Sequence, residues 1–350
     1  MKYKLSEVLT EFKEVNKNSL YEPVSVGKYG IRKRNEIYKK ELSDDYSKNK
    51  VIRKDNLIIG MGSNQIDVGV MVYDEIYSVS PAYHTYKINT SIVHSDYLEL
   101  LFKSNNATYF KKYSVATARQ GKKIDLKALL EEIIDIPSFE QQDILVSKIS
   151  DIEDLITEEE KSISLLDELT KSRFIELFLS EKTFPTKKWA DVLKIYNGRD
   201  YKSNISDENN GFPVYGSGGF MGVYADKFIC EGILTIIGRK GTIDRPILVK
   251  GKIWNIDTAF GIKTNDEILD PVFFHYRSKF YDYKGMNKQT TKPSLTKSDL
   301  LKLDIELPSL DEQHSFVKFI EEVDKLKFNV QKRIEKYKEL LNKKMDEYFN

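Results

Sequence analysis

The sequence contains one cysteine, Cys230, and only four histidines among its 350 residues. A single cysteine excludes an internal disulfide framework and fits a reducing compartment. The histidines, at positions 84, 94, 275 and 314, do not show the spacing of a metal site. We therefore predict neither a metal nor a cofactor.

Long apolar runs are also missing, and none approaches the length of a membrane span. The stretch MKYKLSEVLTEF (1–12) is too charged for a signal peptide, so we expect a cytoplasmic protein. The composition, 40% hydrophobic and 31% charged, is that of a globular chain and not of a disordered one.

Motifs of catalysis are absent as well. The sequence has no G-x-x-x-x-G-K-[ST] phosphate loop and no [ND]-P-P-[FYW] adenine motif. The glycine-rich stretch 215–219 is not followed by the strand–loop–helix pattern of a cofactor site. The acidic run 158–161 lies within a heptad pattern, which favours a solvated helix face over a nuclease site. We predict a non-catalytic chain whose partners perform any associated chemistry.

What the sequence does contain is a long internal repeat. IDIPSFEQQ (134–142) recurs as IELPSLDEQ (305–313), an offset of 171, and the match continues without gaps to Phe178 and Phe349. Two unrelated amphipathic helices of similar composition are the alternative. The shared P-S-x-x-x-Q phrase argues against it, because a tandem repeat predicts such a phrase and composition does not.

Both copies follow a heptad pattern that is typical of coiled-coil helices. The first seam carries Glu159 where the second carries Val330, and Ile156 where the second carries Lys327. At each of these positions a charged residue in one seam corresponds to an apolar residue in the other. We therefore predict two helices, roughly 142–179 and 313–349, that pack antiparallel on each other. The apolar seam positions are Leu145, Ile149, Ile152, Ile156, Ile163 and Leu166, then Phe316, Ile320, Val323, Val330, Ile334, Tyr337 and Leu341.

The repeat extends upstream into two globular parts. NLIIGMGSN (56–64) resembles ILTIIGRKG (233–241), and YSVSPAY (77–83) resembles WNIDTAF (254–260). Short strands with glycine turns and a few helices predict an α+β fold. We place the boundaries of two globular domains at 1–134 and 185–306 and of two helical spacers at 135–184 and 307–350.

Charge follows the same division. The globular parts carry 22 Lys/Arg against 17 Asp/Glu (net +5) and 19 against 15 (net +4), whereas 135–184 carries 5 against 13 (net −8) and 307–350 carries 9 against 9. The near-neutral total of +1 therefore conceals two basic domains and one acidic spacer. A basic excess of this size is weak support for nucleic-acid binding by itself.

The whole chain resembles the specificity subunits of type I restriction-modification systems. The resemblance rests on IPSFEQQ (136–142), LPSLDEQ (307–313), YGSGG (215–219) and IGRKGTI (237–243), together with DTAF (257–260) and TTKPSLT (290–296). The first globular part departs more, with MGSN (61–64) in place of GRKG and SPAY (80–83) in place of DTAF.

This resemblance implies a pseudo-two-fold tandem repeat, in which two α/β target recognition domains are held by an antiparallel pair of long helices. Each domain would read one half of a bipartite double-stranded DNA target, and helix length would set the gap between the halves. The implied partners are two N6-adenine methyltransferase subunits and restriction/translocase subunits.

Candidate DNA-binding residues are polar and basic groups on glycine-rich loops, since Arg can bind guanine bidentately and Lys and Thr suit phosphates. Each one could instead be an ordinary solvated side chain. They are Arg32, Lys33, Arg34, Ser63, Asn64, Thr117, Arg119, Gln120, Lys122, Lys123, Tyr215, Ser217, Arg239, Lys240, Thr242, Asn287, Lys288, Gln289, Thr290, Thr291 and Lys292.

A second class of function stays open at this point. A structural adaptor could use the same helices to pair two β-rich domains without binding a specific DNA sequence. The repeated phrase and G-R-K-G-T favour the DNA-specificity subunit. An adenine methyltransferase gene next to this one would distinguish the two.

Overall fold

The structure is a computed structural model that describes residues 1–27, 30–34, 37, 45–61, 66–105, 111–116, 122–180, 183–286 and 294–349. The chain divides into two compact units. The first unit comprises Met1–Glu160 with Lys332–Asn350, and the second comprises Lys161–Gln331. In the described ranges, no helix has the length and apolar character needed to cross a membrane.

Short strands dominate the first unit, whose first segment ends within a 40-residue helix. Its elements are β1 Lys2–Lys4, α1 Leu5–Val8, β2 Leu9–Glu11, β3 Val24–Gly27, β4 Gly30–Lys33, β5 Lys50–Ile52, β6 Asn56–Met61, β7 Ile66–Val70, β8 Tyr77–Val79, β9 His84–Ile88, α2 Ser95–Asn105, β10 Ser114–Ala116, β11 Lys122–Ile124, α3 Leu126–Leu130, β12 Ile133–Asp135 and α4 Phe139–Phe178.

The second unit repeats this plan with longer strands. Its elements are β13 Thr186–Lys188, α5 Trp189–Val192, β14 Leu193–Asn197, β15 Ile205–Ser206, β16 Phe212–Gly216, β17 Gly219–Ala225, β18 Cys230–Gly238, β19 Ile247–Asn255, β20 Ala259–Thr264, α6 Pro271–Ser278, α7 Lys297–Leu301, β21 Asp304–Glu306 and α8 Leu310–Phe349. Helix α4 continues into this unit, and α8 continues into the first.

The sheets of the two units share a strand order. In the first unit the order is β2-β9-β6-β7, and in the second the equivalent run is β14-β20-β18-β19, extended by β16, β17 and β15. Strands β6 and β18 hold the same central place, which confirms the predicted match between NLIIG and LTIIG. In each unit the first strand also pairs antiparallel with the strand just before the long helix, β1 with β12 and β13 with β21.

Each long helix begins at a capping box. The amide of Ser138 donates to the Gln141 side chain (3.3 Å) and the Ser138 hydroxyl accepts from the Gln141 amide (3.4 Å). Ser309 and Glu312 repeat the arrangement at 3.0 and 3.4 Å. Because these side chains satisfy amides that a helix start leaves unpaired, the helices begin three residues before the positions predicted from the heptads.

A buried glutamine follows each cap and explains the repeated P-S-x-x-x-Q phrase. Gln142 and Gln313 are fully buried. The Gln142 side chain accepts from the His94 amide (2.7 Å) and donates to the Pro137 carbonyl (3.0 Å). Gln313 accepts from the Asp270 amide (2.8 Å) and donates to the Pro308 carbonyl (2.9 Å). In each unit the glutamine thus ties the helix start to a loop about 45 residues upstream.

Within each unit the two long helices pack antiparallel, as the heptads predicted. In the first unit Glu159 pairs with Arg333 (2.5 and 2.8 Å), while Lys148 lies 5.7 Å from the ring centre of Tyr348. The residue numbers on α8 fall as those of their partners on α4 rise, so the two helices run antiparallel here. Glu159, the polar residue of the predicted seam, is half-buried, and Arg333 holds the pKa of its carboxyl below the usual range.

The second unit shows the same direction. Asp167 pairs with Lys327 (2.5 Å), and the rings of Phe174 and Phe316 lie edge to face at 5.2 Å. Phe174 and Phe316 also join the core beneath the sheet, where Trp189 is fully buried. Helix packing and the core of the globular part are therefore one continuous apolar cluster within this unit.

Candidate nucleic-acid interface

The G-R-K-G-T turn of the second unit is hydrogen-bonded to two segments distant in sequence, D-T-A-F and T-T-K-P-S-L-T. The Arg239 and Lys240 amides both donate to the Thr258 carbonyl of D-T-A-F, at 2.7 and 3.3 Å. The Arg239 carbonyl accepts from the Leu295 amide (2.9 Å), and Lys240 forms an isolated antiparallel bridge with Ser294. Three phrases separated in sequence therefore meet at the end of β18.

Glycine is required where this turn closes. A Cβ on Gly238 would lie 1.9 Å from the Thr242 carbonyl oxygen and 3.0 Å from the Cβ of Ser217. Gly241 has a φ of +81°, which favours glycine, and its Cβ position is 3.5 Å from the Ser217 hydroxyl. The Y-G-S-G-G turn thus lies against G-R-K-G-T, and the structure brings the two predicted loops together.

The candidate side chains of this turn differ in exposure. Lys240 is exposed, whereas Arg239 and Thr242 are half-buried. The Arg239 guanidinium lies 5.9 Å from the ring centre of Phe260, the aromatic residue of D-T-A-F. Stacking on a buried ring restricts the rotamers of an arginine, which suits a group that contacts a base or phosphate in one geometry.

Tyr215 and Ser217 lie on the neighbouring hairpin. The Tyr215 carbonyl accepts from the Ile256 amide (2.9 Å), and β16 pairs parallel with β19 at this point. Both side chains are half-buried. The predicted residues Asn287, Lys288, Gln289, Thr290, Thr291 and Lys292 lie outside the described residues, but the chain just before them is attached to the turn, because Lys284 pairs with Asp244 (2.5 Å).

In the first unit, Lys122 and Lys123 are exposed on β11 and face β10 in an antiparallel pair. Ile124, next on β11, packs against the same core as Met61 at the end of β6. This parallels the second unit, where Leu295 binds Arg239 at the end of β18. The predicted residues Ser63, Asn64, Thr117, Arg119 and Gln120 lie outside the described residues.

Arg32, Lys33 and Arg34 lie on and just after β4. Arg32 is exposed. The ammonium of Lys33 lies 5.4 and 5.6 Å from the ring centres of Tyr73 and Tyr77. The guanidinium of Arg34 lies 5.7 Å from the ring centre of Tyr46. Of the three, Arg32 offers the most accessible charge.

The comparison of the two sequence repeats missed one correspondence, which concerns the hairpin formed by β3 and β4. Strands β3 and β4 are joined between Gly27 and Gly30, as β16 and β17 are between Gly216 and Gly219. Pro23, just before β3, forms a parallel bridge with Ser78 of β8, as β16 pairs parallel with β19. The shared Pro-Val start and the G-x-x-G turn in PVSVGKYG and PVYGSGG were the available signal. The two candidate loops are therefore equivalent.

Other chemistry finds little support in the described ranges. No group of three or more His, Cys, Asp or Glu residues there could hold a metal ion. Burial raises the pKa of the Cys230 thiol to about 12, so the thiol is not a nucleophile at neutral pH.

The chain matches a family model, the type I restriction modification DNA specificity domain, twice, over residues 1–168 and 181–339. One similar solved structure comes from work on complex assembly and conformational transition of the type I R-M system (17% identity, TM-score 0.63, covering 100% of this chain and 97% of that one). Another is the type I restriction-modification system S subunit from M. genitalium (13% identity, TM-score 0.55, covering 99% and 95%). At these identities the likenesses show a shared fold. None of the curated protein sequences compared with the chain matches it.

Proposed function

The chain belongs to the type I restriction-modification DNA specificity family, and on this premise we propose that it reads a bipartite DNA target, one half-site per recognition domain. The observation that carries the proposal is the double family match, with one specificity domain in each half of the sequence. An adaptor without DNA specificity is not favoured, since nothing in that alternative accounts for two such domains.

We assign recognition to 1–134 and 185–306, and the spacers to 135–184 and 307–350. The net charges of +5 and +4 on the first pair of segments support this assignment, because phosphate binding needs a basic surface. The net charge of −8 on 135–184 disfavours contact between that spacer and phosphates. The candidate loop residues, including Arg239 and Lys240, supply base and phosphate contacts in this proposal.

Catalysis belongs to partner subunits in this proposal. These are two N6-adenine methyltransferase subunits and the restriction/translocase subunits. The sequence supports it by lacking adenine and phosphate-loop motifs. The purified chain should transfer no methyl groups to DNA by itself, and methyl transfer by rigorously purified protein would contradict the assignment. A co-expressed complex with a one-to-one ratio under every condition would contradict two methyltransferase copies.

The decisive experiment is sequencing of modified adenines in DNA exposed to the chain with its cognate methyltransferase. We expect two short specific half-sites separated by a fixed unspecified gap. Arg239→Ala with Lys240→Ala should relax or weaken only one half-site. Lys325→Ala is the matched control, because this exposed lysine lies on α8 away from the loops. Modification without a bipartite motif would refute the proposal.

Helix length provides a separate test of the spacer role. Four residues inserted after Thr170 add about 6 Å of helix at about 1.5 Å per residue. That length corresponds to nearly two base pairs at about 3.4 Å each. The insertion keeps approximate helical phase but forms a stutter in the seam, so we expect some loss of stability. The modified motif should keep its half-site bases and change its gap, whereas altered bases would contradict a spacer role.

A further inference from the structure

The hairpin β16–β17 of the second unit carries an irregularity that its counterpart lacks. Gly216 pairs with Gly219 and Tyr215 with Phe220, but Pro213 pairs with Tyr224. Three residues of β17 therefore oppose a single residue of β16. Gly222, within this bulge, has a φ of +72°. Bulges of this kind bend a strand and change the direction of its side chains.

The bulged strand presents two apolar side chains to solvent. Phe220 is 48% exposed and Met221 is 43% exposed. The ring of Phe220 lies 5.8 Å from that of Tyr215 and 5.4 Å from that of Tyr224. It is therefore supported on one side and open on the other. Single exposed apolar residues are common on protein surfaces. Phe220 is a candidate contact residue because it lies at a hairpin turn that packs against the basic G-R-K-G-T turn.

This tip is continuous with the basic turn described above. Ser217, in the hairpin turn, lies against Gly238 and Gly241 of G-R-K-G-T. Phe220 and Met221 thus lie three and four positions after Ser217, which contacts the turn that carries Arg239 and Lys240. The tip and the two cations therefore belong to adjoining turns of the same unit.

The equivalent hairpin of the first unit has different chemistry. Its register is regular, and Val26 pairs with Ile31 and Ser25 with Arg32. After the turn glycine, Ile31 is buried and Arg32 is exposed, where the second unit exposes Phe220 and Met221. One hairpin therefore offers a charge and the other an apolar surface at the same place in the fold.

We propose that Phe220 at this hairpin tip, with Met221 on the opposite face of the hairpin, contacts thymine 5-methyl groups in the major groove of the second half-site. The inference rests on the proposed function and specifies what this domain reads. Beyond the residues that pair with β19 and β15, the tip of this hairpin is two-stranded. A two-stranded ribbon fits the major groove, and apolar side chains distinguish thymine there by its methyl group. An intercalating wedge has to enter between base pairs. The packing of Phe220 on two tyrosines favours a surface contact instead.

The test uses the assembled complex of the chain with its methyltransferase and a duplex that carries the modified motif. Each thymine of the second half-site is replaced by deoxyuridine, which removes only the methyl group. We expect at least one replacement, other than opposite the modified adenine, to weaken binding about fourfold, the effect of losing one buried methyl group. Phe220→Ala with Met221→Ala should weaken binding to the thymine duplex and abolish this sensitivity.

Phe228→Ala is the matched control, because Phe228 is 42% exposed in the same unit and packs on Phe212 away from the turn. It should keep the sensitivity to deoxyuridine. The apolar variants should also leave the salt dependence of binding unchanged, whereas Lys240→Ala should lower its slope by about one counterion. Resistance of Cys230 to alkylation verifies that each variant is folded.

Four results would overturn the inference alone, and the first three concern thymine. They are equal binding of thymine and deoxyuridine duplexes by the unaltered complex, full sensitivity in the apolar variant, and a second half-site whose only thymine lies opposite the modified adenine. Unstacking of 2-aminopurine beside the tip would also overturn it, since it indicates a wedge. Loss of all sequence preference in the unaltered complex would instead refute the proposed function itself.

Discussion

Gln313 is expected to stabilise the second unit more than its position at a helix start would indicate. Its side chain is fully buried. Its oxygen accepts from the Asp270 amide at 2.8 Å, and its nitrogen donates to the Ile268 carbonyl at 3.1 Å and the Pro308 carbonyl at 2.9 Å. The change Gln313→Ala removes the partner of three backbone groups at once and leaves a cavity.

The size of the effect follows from these three contacts. A buried polar group without a partner costs about 1–3 kcal/mol. Water entering the vacated space offsets part of this cost, so we expect Gln313→Ala to lower the free energy of unfolding by about 3 kcal/mol. Gln142 has two such contacts, with His94 and Pro137, and Gln142→Ala should cost about 2 kcal/mol in the first unit.

Alkylation of Cys230 measures the opening of the second unit. This thiol is the only cysteine of the chain, it is buried, and its pKa is raised to about 12. Gln313→Ala should speed its alkylation roughly 100-fold, since each 1.4 kcal/mol corresponds to a factor of about ten. Gln331→Ala, which removes an exposed glutamine of the same helix, should change the rate less than about threefold.

The equivalent variant of the first unit completes the comparison. Gln142→Ala should speed amide hydrogen exchange around His94 far more than it speeds alkylation of Cys230. If Gln313→Ala were alkylated at the unaltered rate, the buried glutamine would not be a structural anchor. If Gln331→Ala accelerated alkylation equally, the loss would come from the helix in general and not from the three backbone contacts.

Two further outcomes follow from the second unit. Gly238→Ala places a Cβ 1.9 Å from a carbonyl oxygen of its own turn. We expect it to lower the free energy of unfolding by about 2 kcal/mol or more and to abolish recognition of one half-site. Gly218→Ala, with open space around it, should keep the melting temperature and both half-sites of the modified motif. Burial alone would raise the pKa of Glu306, but the hydrogen bond from Arg277, a backbone hydrogen bond and the charge of Arg277 together outweigh burial and lower the pKa. Stability from this pair is therefore present above the ordinary carboxyl pKa of 4.5 and lost as pH falls through the folded-state value. Arg277→Met should lower the free energy of unfolding by about 1–2 kcal/mol at pH 7, a value that allows for the partial exposure of Glu306. It should also reduce the loss of stability at acid pH, measured by unfolding at several pH values. Arg173→Met, at an exposed ion pair, should have neither effect.

The helices could be predicted from the sequence because their requirement is periodic. A seam needs apolar residues at fixed intervals, and residues such as Ile149, Ile320 and Ile334 satisfy it and are buried. The complementary position of Glu159 also indicated a partner other than an identical helix. In the structure that carboxylate binds Arg333 of the antiparallel helix. Local periodicity was sufficient for this part of the fold.

The role of the repeated glutamine could not be predicted from the sequence. Its partners are backbone groups, and any residue type supplies a backbone amide or carbonyl. The His94 and Asp270 amides therefore leave no signature that a sequence comparison can find. The repeat showed that Gln142 and Gln313 are equivalent, but only the fold shows what each one binds.

The loops of the candidate interface were predicted in type but not in arrangement. G-R-K-G-T and D-T-A-F were identified separately, and their contact through the Thr258 carbonyl required the strand order. The equivalence of the hairpins that begin at Pro23 and Pro213 was missed because the offset between the repeats is not constant: it is 213 − 23 = 190 at these prolines and 238 − 60 = 178 at Gly60 and Gly238. The bulge in β17 also changes the direction of side chains without changing residue types, which sequence patterns do not record.

The distribution of retained and altered residues follows from what each residue binds. Gln142 and Gln313 bind backbone groups in a closed space, so a different side chain at either position loses several hydrogen bonds at once. Residues of the hairpins, such as Arg32 and Met221, project from strands that pair through backbone hydrogen bonds, so they can change without loss of the strand pairing. A tandem repeat under these constraints keeps its anchors identical and lets its two exposed hairpins differ. That combination is what a protein needs if one scaffold is to read two different half-sites.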